Sequence, residues 1–247
     1  MTDTEEALWA RTGILVGATG IARLQRARVL LVGLGGVGGH AAEALARAGV
    51  GSLTIVDGDL VAPSNLNRQL AALHSTVGRP KTAVIQARIA DINPHCAVDA
   101  RTGFLAAEDM PALVADGFDQ IVDAIDSVNS KVALLAAALA AGIPVASSMG
   151  AGGRLDPGCL QTGDLMDSAG CPLARVIRAR LRRRGHGRGV LAVWSDEPPR
   201  PPLAPQPSGR GRPRAVNGTI SYLPGLFGLT LAGLVIQRIL ASPPSVT

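Results

Sequence analysis

Residues 27–39 read ARVLLVGLGGVGG, and the next ten, His40 to Gly49 (HAAEALARAG), carry apolar side chains at helical spacing before Gly49 stops them. Ala27 to Val32 is a short apolar run rich in β-branched residues and bounded by glycine, the pattern of a strand buried on both faces. Ser52 to Val56 (SLTIV) repeats that pattern and is closed by Asp57. Strand, glycine-rich turn, helix and strand together make one βαβ unit of about 30 residues, the first half of a Rossmann-type sheet.

Working outward from this unit, strands and helices keep alternating. Lys81 to Ile92 predicts a helix ending at Asn93-Pro94, Phe118 to Ala124 a strand, Ser130 to Ala141 a helix, and Ile143 to Ser147 another strand. That order predicts an α/β fold, Rossmann-like, with a mainly parallel sheet covered by helices on both faces. The texture changes after Asp164. Pro172 to Arg184 is a basic helix, followed by a short strand at VLAVW. Ser195 to Arg214 then holds seven prolines and almost no apolar side chains, the composition of an exposed, mobile loop. Ile220 to Ile236 is uncharged and 17 residues long, at the lower limit for crossing about 30 Å of hydrocarbon. It lacks aromatic anchors at its two ends, so the expectation is a buried helix packed on the sheet, with Gly and Ala where backbones approach closely. Membrane association is not expected.

Composition excludes other classes. At 247 residues, 47% hydrophobic and 17% charged, the chain is neither disordered nor collagen-like. Three cysteines, Cys96, Cys159 and Cys171, exclude a disulfide scaffold and suit a reducing compartment. The opening MTDTEEALWA is acidic without an apolar core, which points to a cytoplasmic protein. The net charge of +5 is unevenly spread. From Leu173 to Arg214 eleven arginines face only Asp196 and Glu197, a local balance of +9 that leaves the remainder at −4. Only two of the 24 basic residues are lysines, Lys81 and Lys131, as though a compact point charge were wanted at those two places.

The turn Gly33-Leu34-Gly35-Gly36-Val37-Gly38 lets backbone N–H groups approach an anionic phosphate at the positive end of the following helix. Asp57, 24 residues after Gly33, stands where a carboxylate accepts hydrogen bonds from ribose hydroxyls. An NAD enzyme and an ATP enzyme look alike to this point. The difference lies in Asp57-Gly58-Asp59, then Ser64-Asn65-Leu66-Asn67-Arg68-Gln69, then Val77-Gly78-Arg79-Pro80-Lys81. Nucleotidyl transfer needs cations on the phosphates because charge shifts onto departing pyrophosphate. Arg68 and Lys81 can supply them, with Asn65 and Gln69 as neutral donors. Asp123-Ala124-Ile125-Asp126 ends a strand at its carboxyl edge, where one carboxylate can hold Mg²⁺ bridging phosphate oxygens. Asp126 faces this way better than Asp123, which falls inside the strand, and Asp126 or Ser127 also suits a helix N-cap.

GLGGVG, the strand ending in DGD, NLNRQ, VGRPK, INP and DAIDS, six motifs in order from about Arg11 to Leu240, resemble the adenylating enzymes related to the activators of ubiquitin-like proteins. The resemblance implies that the whole chain, residues 1–247, is one adenylating domain with a mobile Pro/Arg-rich crossover loop at residues 195–217. It implies that ATP lies on Gly33, Gly35, Gly36 and Gly38, and that a carboxylate attacks the α-phosphate. Asp57 becomes the ribose ligand, Arg68 and Lys81 the phosphate and transition-state cations, and Asp126 the Mg²⁺ ligand. Asp59, Asn65, Asn67, Gln69 and Ser127 complete the ATP-binding set.

Sulfur-carrier branches of that family usually hold zinc in two Cys-x-x-Cys pairs, which this chain lacks, so no zinc is expected. Asp126 to Lys131 (DSVNSK), Gly150 to Gly153, Asp156-Pro157 and Asp164-Leu165 resemble the branch that cyclises threonylcarbamoyladenosine in tRNA by dehydration. The alternative is adenylation of the C-terminus of a ubiquitin-like sulfur-carrier protein. The basic stretch from Arg175 to Arg188 suits a tRNA partner, and a sulfur-relay protein is a further candidate. A homodimer is implied by the resemblance alone. Three departures stand out. Residues 195–217 contain no cysteine, so no thioester is expected there. The Pro/Arg insertion has no counterpart, and Ile14 stands where the family has a second arginine beside the one matched by Arg11.

Overall fold

The computed structural model describes residues 3–206 and 214–241. In chain order the elements are α1 (Asp3–Arg26), β1 (Arg28–Val32), α2 (Gly38–Ala48), β2 (Ser52–Asp57), α3 (Lys81–Ile92), β3 (Ala97–Thr102), α4 (Met110–Ala115) and β4 (Gln120–Asp123). They continue as α5 (Val128–Ala140), β5 (Val145–Ser148), β6 (Leu160–Asp164), α6 (Pro172–Arg183), β7 (Val190–Ser195), β8 (Leu203–Gln206), β9 (Arg214–Val216) and α7 (Leu223–Ala241). The apolar run of residues 28–32 is the central strand for the reason its composition gives: Val29 to Val32 are all buried, and both of its edges are paired in parallel, to β2 and to β4.

Seven strands form one sheet in the order β3-β2-β1-β4-β5-β7-β6. All pairings are parallel except β6 with β7, an antiparallel edge. Strand order reverses between β1 and β4, so a crevice opens outside their carboxyl ends, where open α/β sheets bind ligands. Helices cover both faces as expected. One apolar core joins α1, α2, α3 and α7 to the sheet, and the other joins α4, α5 and α6.

The uncharged segment is α7. By length and composition it is the one helix among the described residues apolar enough to cross a membrane, and half of that window is buried within the fold. Leu223, Phe227, Leu231, Val235 and Ile239 point into the core. Close approach to α2 depends on a missing side chain: a Cβ on Gly228 would lie 2.2 Å from the Val37 carbonyl oxygen. This is the buried helix, with glycine at the contact, that the sequence predicts.

Elsewhere the fold adds to the expectation. Helix α1 was not foreseen. It is broken at Gly17, whose φ of 69° is left-handed. The Pro/Arg-rich segment is not wholly irregular, because its described flanks form the antiparallel ribbon β8–β9. Residues 207–213 of that expected mobile loop lie outside the described residues.

Candidate active site

A cleft of about 950 Å³ occupies the crevice where strand order reverses. Eleven of the thirteen residues named from sequence line it. Gly33, Gly35 and Gly36 come from the turn after β1, Asp57 and Asp59 from the end of β2, and Asp126 and Ser127 from the turn after β4. Asn65, Arg68 and Gln69 reach it from the segment between β2 and α3, and Lys81 from the first turn of α3.

The glycine turn is fixed by two contacts. Gly33 has φ 94°, and a Cβ there would meet the Ala124 carbonyl oxygen at 2.6 Å. Only glycine lets the turns after β1 and β4 lie so close. At Gly38 a Cβ would lie 1.7 Å from the Gly33 carbonyl oxygen. Gly38 therefore closes the turn sterically and does not line the cleft. The helix it opens has no side-chain cap at Val37 and no acidic residue in its first turn, which leaves its positive end to whatever anion the turn admits.

Asp57 binds the turn as well as facing the cleft. Its Oδ2 accepts from the Leu34 amide at 2.6 Å and its Oδ1 from the Asp59 amide at 2.7 Å. A carboxylate has about four acceptor positions, so each oxygen keeps one for a ligand hydroxyl. Burial raises the Asp57 carboxyl above the ordinary Asp value, against the opposing pull of Lys81 and of the two amides.

Lys81 is buried at the start of α3, where the helix dipole disfavours a cation. Its ammonium is held by Asp59 Oδ2 at 2.8 Å, and Asp59 is half exposed. Arg68 differs. Its Nη1 donates to the Ser64 carbonyl at 2.9 Å and to Asn67 Oδ1 at 2.8 Å, and among the described residues no carboxylate pairs with it. Asn67, the other residue outside the cleft lining, is spent on that brace, since its Nδ2 also donates to the Thr219 carbonyl at 2.9 Å. Gln69 is buried and its Oε1 has no partner, an orphaned acceptor beside Gly35. Asn65 Oδ1 accepts from the Ala62 amide and so orders the segment that carries Arg68.

These residues suit a nucleotide triphosphate. An uncapped helix end behind a glycine turn, two cations, a carboxylate with free acceptor positions and an unsatisfied amide match phosphates, ribose and base edges respectively. Among the described residues no group of three or more His, Cys, Asp or Glu side chains could hold a metal unaided. The exposed Asp126 alone suits a Mg²⁺ ion that takes its other ligands from phosphates and water.

Sequence reasoning singled out Lys131 without its partner, and it missed Arg154. The other lysine, Lys131, lies beneath the cleft and is fully buried. Its ammonium is bonded to Asp123 Oδ2 at 2.5 Å, the Ser148 carbonyl at 2.9 Å and Ser147 Oγ at 3.4 Å. Asp123 Oδ1 in turn accepts from the Ile125 amide at 3.1 Å. The network ties the ends of β4 and β5 to α5 and braces the turn that presents Asp126. Arg154 is a buried guanidinium in the cleft wall after β5.

Cys171, Pro172 and Leu173, the start of α6, also line the cleft, and Cys171 is buried there. From that start the helix and the turn after it carry arginines outward. Arg178 is bonded to Ser168, Arg180 to Asn129 and Arg188 to Asp167, while Arg175, Arg182, Arg183 and Arg184 stand exposed. Cys159 is bonded to Asp156, and its thiol is pushed up to about 11 by local desolvation and by the Asp156 and Asp196 carboxylates.

The comparisons with known proteins cover almost the whole chain. A tRNA threonylcarbamoyladenosine dehydratase of Bacillus subtilis (strain 168) is 37% identical over 239 residues, 94% of each chain. The crystal structure of the Escherichia coli tRNA N6-threonylcarbamoyladenosine dehydratase TcdA in complex with ATP matches with a TM-score of 0.88 and 33% identity, covering 97% of this chain and 96% of that one. The molybdopterin-synthase adenylyltransferase of Escherichia coli (strain K12) is 39% identical, but over 149 residues, 60% of this chain and 59% of that protein. The model of the ThiF family matches residues 10–246, which include the glycine turn, both cleft cations and the sheet that carries them. The chain belongs to the ThiF family.

Proposed function

We propose that this protein uses ATP to adenylate the carboxylate of threonylcarbamoyladenosine in tRNA, and that the activated nucleoside then closes to its cyclic form with net loss of water. The observation that carries the reading is the pairing of a dinucleotide-type glycine turn with Arg68 and Lys81 in one cleft. A binding-only site gains little from cations placed where charge appears as pyrophosphate departs. The near full-length likeness to dehydratases, against the partial likeness to a sulfur-carrier adenylyltransferase, supports the choice of substrate.

In this reading ATP is the second substrate. Its ribose hydroxyls bond to Asp57, and its phosphates lie over the turn from Gly33 to Gly36. The nucleoside carboxylate attacks the α-phosphorus and the bond to the bridging oxygen of pyrophosphate breaks. The negative charge that moves to pyrophosphate is met by Arg68, already braced by Asn67 and free of any described carboxylate, and by Lys81 once phosphate oxygens compete with the exposed Asp59. Asp126 is the protein ligand for Mg²⁺, which would neutralise phosphate oxygens. An internal nucleophile of the nucleoside then attacks the activated carbonyl and AMP leaves.

The tRNA approaches along α6 and the turn after it, where exposed Arg175, Arg182, Arg183 and Arg184 run outward from the cleft rim and suit phosphates. A second copy of the chain is the expected partner of α1, where Ile14 and Leu15 are 82% and 86% exposed. The reaction is assigned to the cytoplasm, where tRNA is found. The test is ATP–pyrophosphate exchange and AMP release with tRNA bearing the threonylcarbamoyl group and, in parallel, with sulfur-carrier proteins. Turnover is expected only with the tRNA and is lost in Lys81→Ala and Arg68→Ala. AMP release driven by a carrier protein would replace this reading with the sulfur-carrier one.

A further inference from the structure

Across the carboxyl edge of the sheet, the cleft runs from Asp57 after β2, over the glycine turn after β1 and Asp126 after β4, to a wall built after β5. That wall holds Arg154, which is 3% exposed. Its Nε donates to the Glu197 carbonyl at 3.0 Å, and its Nη1 donates to the carbonyls of Gly150 and Gly152. Its Nη2 is buried with no partner.

What Arg154 lacks is an anion. Among the described residues no carboxylate pairs with it. The nearest acidic side chain in its own network, Glu197, is used elsewhere, accepting from the amides of Leu155 at 2.9 Å and Asp156 at 2.8 Å. A guanidinium removed from water and compensated only by carbonyl dipoles is costly, and such a group is normally matched by an opposite charge. A purely structural staple across Gly150, Gly152 and Glu197 needs two nitrogens and no net charge. The third nitrogen and the charge remain unexplained until an anion enters the cleft.

We infer that Arg154 is the ligand for the substrate's carboxylate, holding one oxygen through Nη2 while the other is left to meet the α-phosphate. The inference rests on the proposed reading that the substrate is a carboxylate-bearing nucleoside in tRNA. The strand order supports it. With ribose at β2 and phosphates at the β1 turn, the group that joins the phosphate lies toward β4 and β5, on the Arg154 side. The positive charge behind Nη2 suits a carboxylate and selects against the same nucleoside with its acid masked.

The test compares the free nucleoside threonylcarbamoyladenosine with its neutral methyl ester. Affinities are measured calorimetrically for the full-length protein saturated with a non-hydrolysable ATP analogue. Wild type is expected to prefer the acid by about ten- to a hundredfold, the range of a charge-assisted hydrogen bond. Arg154→Gln loses that preference with ATP affinity unchanged, and Arg154→Lys, which keeps the charge, retains most of it. A merely structural role would weaken acid and ester alike. Unmodified tRNA separates the other source of anionic oxygen, because a phosphate-binding Arg154 would make Arg154→Gln bind unmodified tRNA more weakly. Preference for the acid surviving in Arg154→Gln, its loss in a folded Arg154→Lys, or weakened binding of unmodified tRNA overturns the inference. If wild type dehydrates the modified tRNA and one of these results is found, only the role of Arg154 falls. If wild type ignores the tRNA and acts on a carrier protein, the substrate reading falls with it.

Discussion

Replacing Lys131 by Met should cost this protein about 3–5 kcal/mol, the usual loss when one partner of a buried ion pair is removed. The estimate follows from the surroundings. Both Lys131 and Asp123 have side chains that are 0% exposed. Without the ammonium, the Asp123 carboxylate keeps only the Ser147 hydroxyl at 2.5 Å and the Ile125 amide at 3.1 Å. Met nearly fills the volume, so little of the loss is cavity. For a chain of this size a loss of that order lowers the melting temperature by roughly 6–20 °C. Urea unfolding followed by far-UV circular dichroism, with melting curves alongside, measures it. The double variant Asp123→Asn with Lys131→Met removes both charges and should recover at least half of the loss. Additive single and double effects, or a Lys131→Met cost as small as that of an exposed residue, would refute the claim that this pair is desolvated and coupled.

Other outcomes follow from the same structure. Gly38→Ala should destabilise the fold by more than about 3 kcal/mol, because its Cβ would lie 1.7 Å from a carbonyl oxygen. Gly35→Ala, whose Cβ meets nothing nearer than Gln69 Nε2 at 3.8 Å, should leave the melting temperature nearly unchanged and weaken ATP binding. Burial raises the Asp57 carboxyl above 3.8, and its ionised form is the better hydroxyl acceptor. ATP affinity should therefore decline as pH falls toward the carboxylate range, beginning at a higher pH than an ordinary Asp would allow, and Asp57→Asn should flatten the profile. The sign for stability is opposite: between 3.8 and the raised folded value the native state holds more protons, so this group's contribution falls as pH rises. Substituting Arg182, Arg183 and Arg184 together by Gln should reduce the slope of log affinity for tRNA against log salt by roughly two to three. Arg188→Gln, which only breaks an exposed pair with Asp167, should leave the melting temperature unchanged.

The parts of this molecule legible in the sequence are those written in local patterns. The run from Val29 to Val32 is buried on both faces and announces a central strand, and the six-residue glycine turn announces its neighbour. Even α7 could be read as buried, because its glycines mark close approach, realised at Gly228 against the Val37 carbonyl. Other parts depend on distant partners. Strand β3 (AVDART) is an edge strand with no buried residue among its six, so it offers no apolar run to detect. Helix α1 carries glycines at 13, 17 and 20, which dilute its period and break it at Gly17. Asp123 looks idle inside its strand until the fold brings Lys131, eight residues on, beneath it. Arg154 was hidden by abundance, one arginine in a chain that uses arginine for 22 of its 24 basic residues. Its distinction is the absence of a counter-charge, which only the packed structure reveals.

Helix α7 completes the face of the sheet that backs the glycine turn, yet it follows all seven strands in the chain. A ribosome that has already released β1, the turn and α2 has therefore produced them without the Phe227 and Leu231 side chains that seal their rear. Until those residues emerge, α2 packs on the sheet and on α3 but its flank toward α7 is bare. The packing behind the glycine turn is therefore completed by the last helix of the described chain to be made.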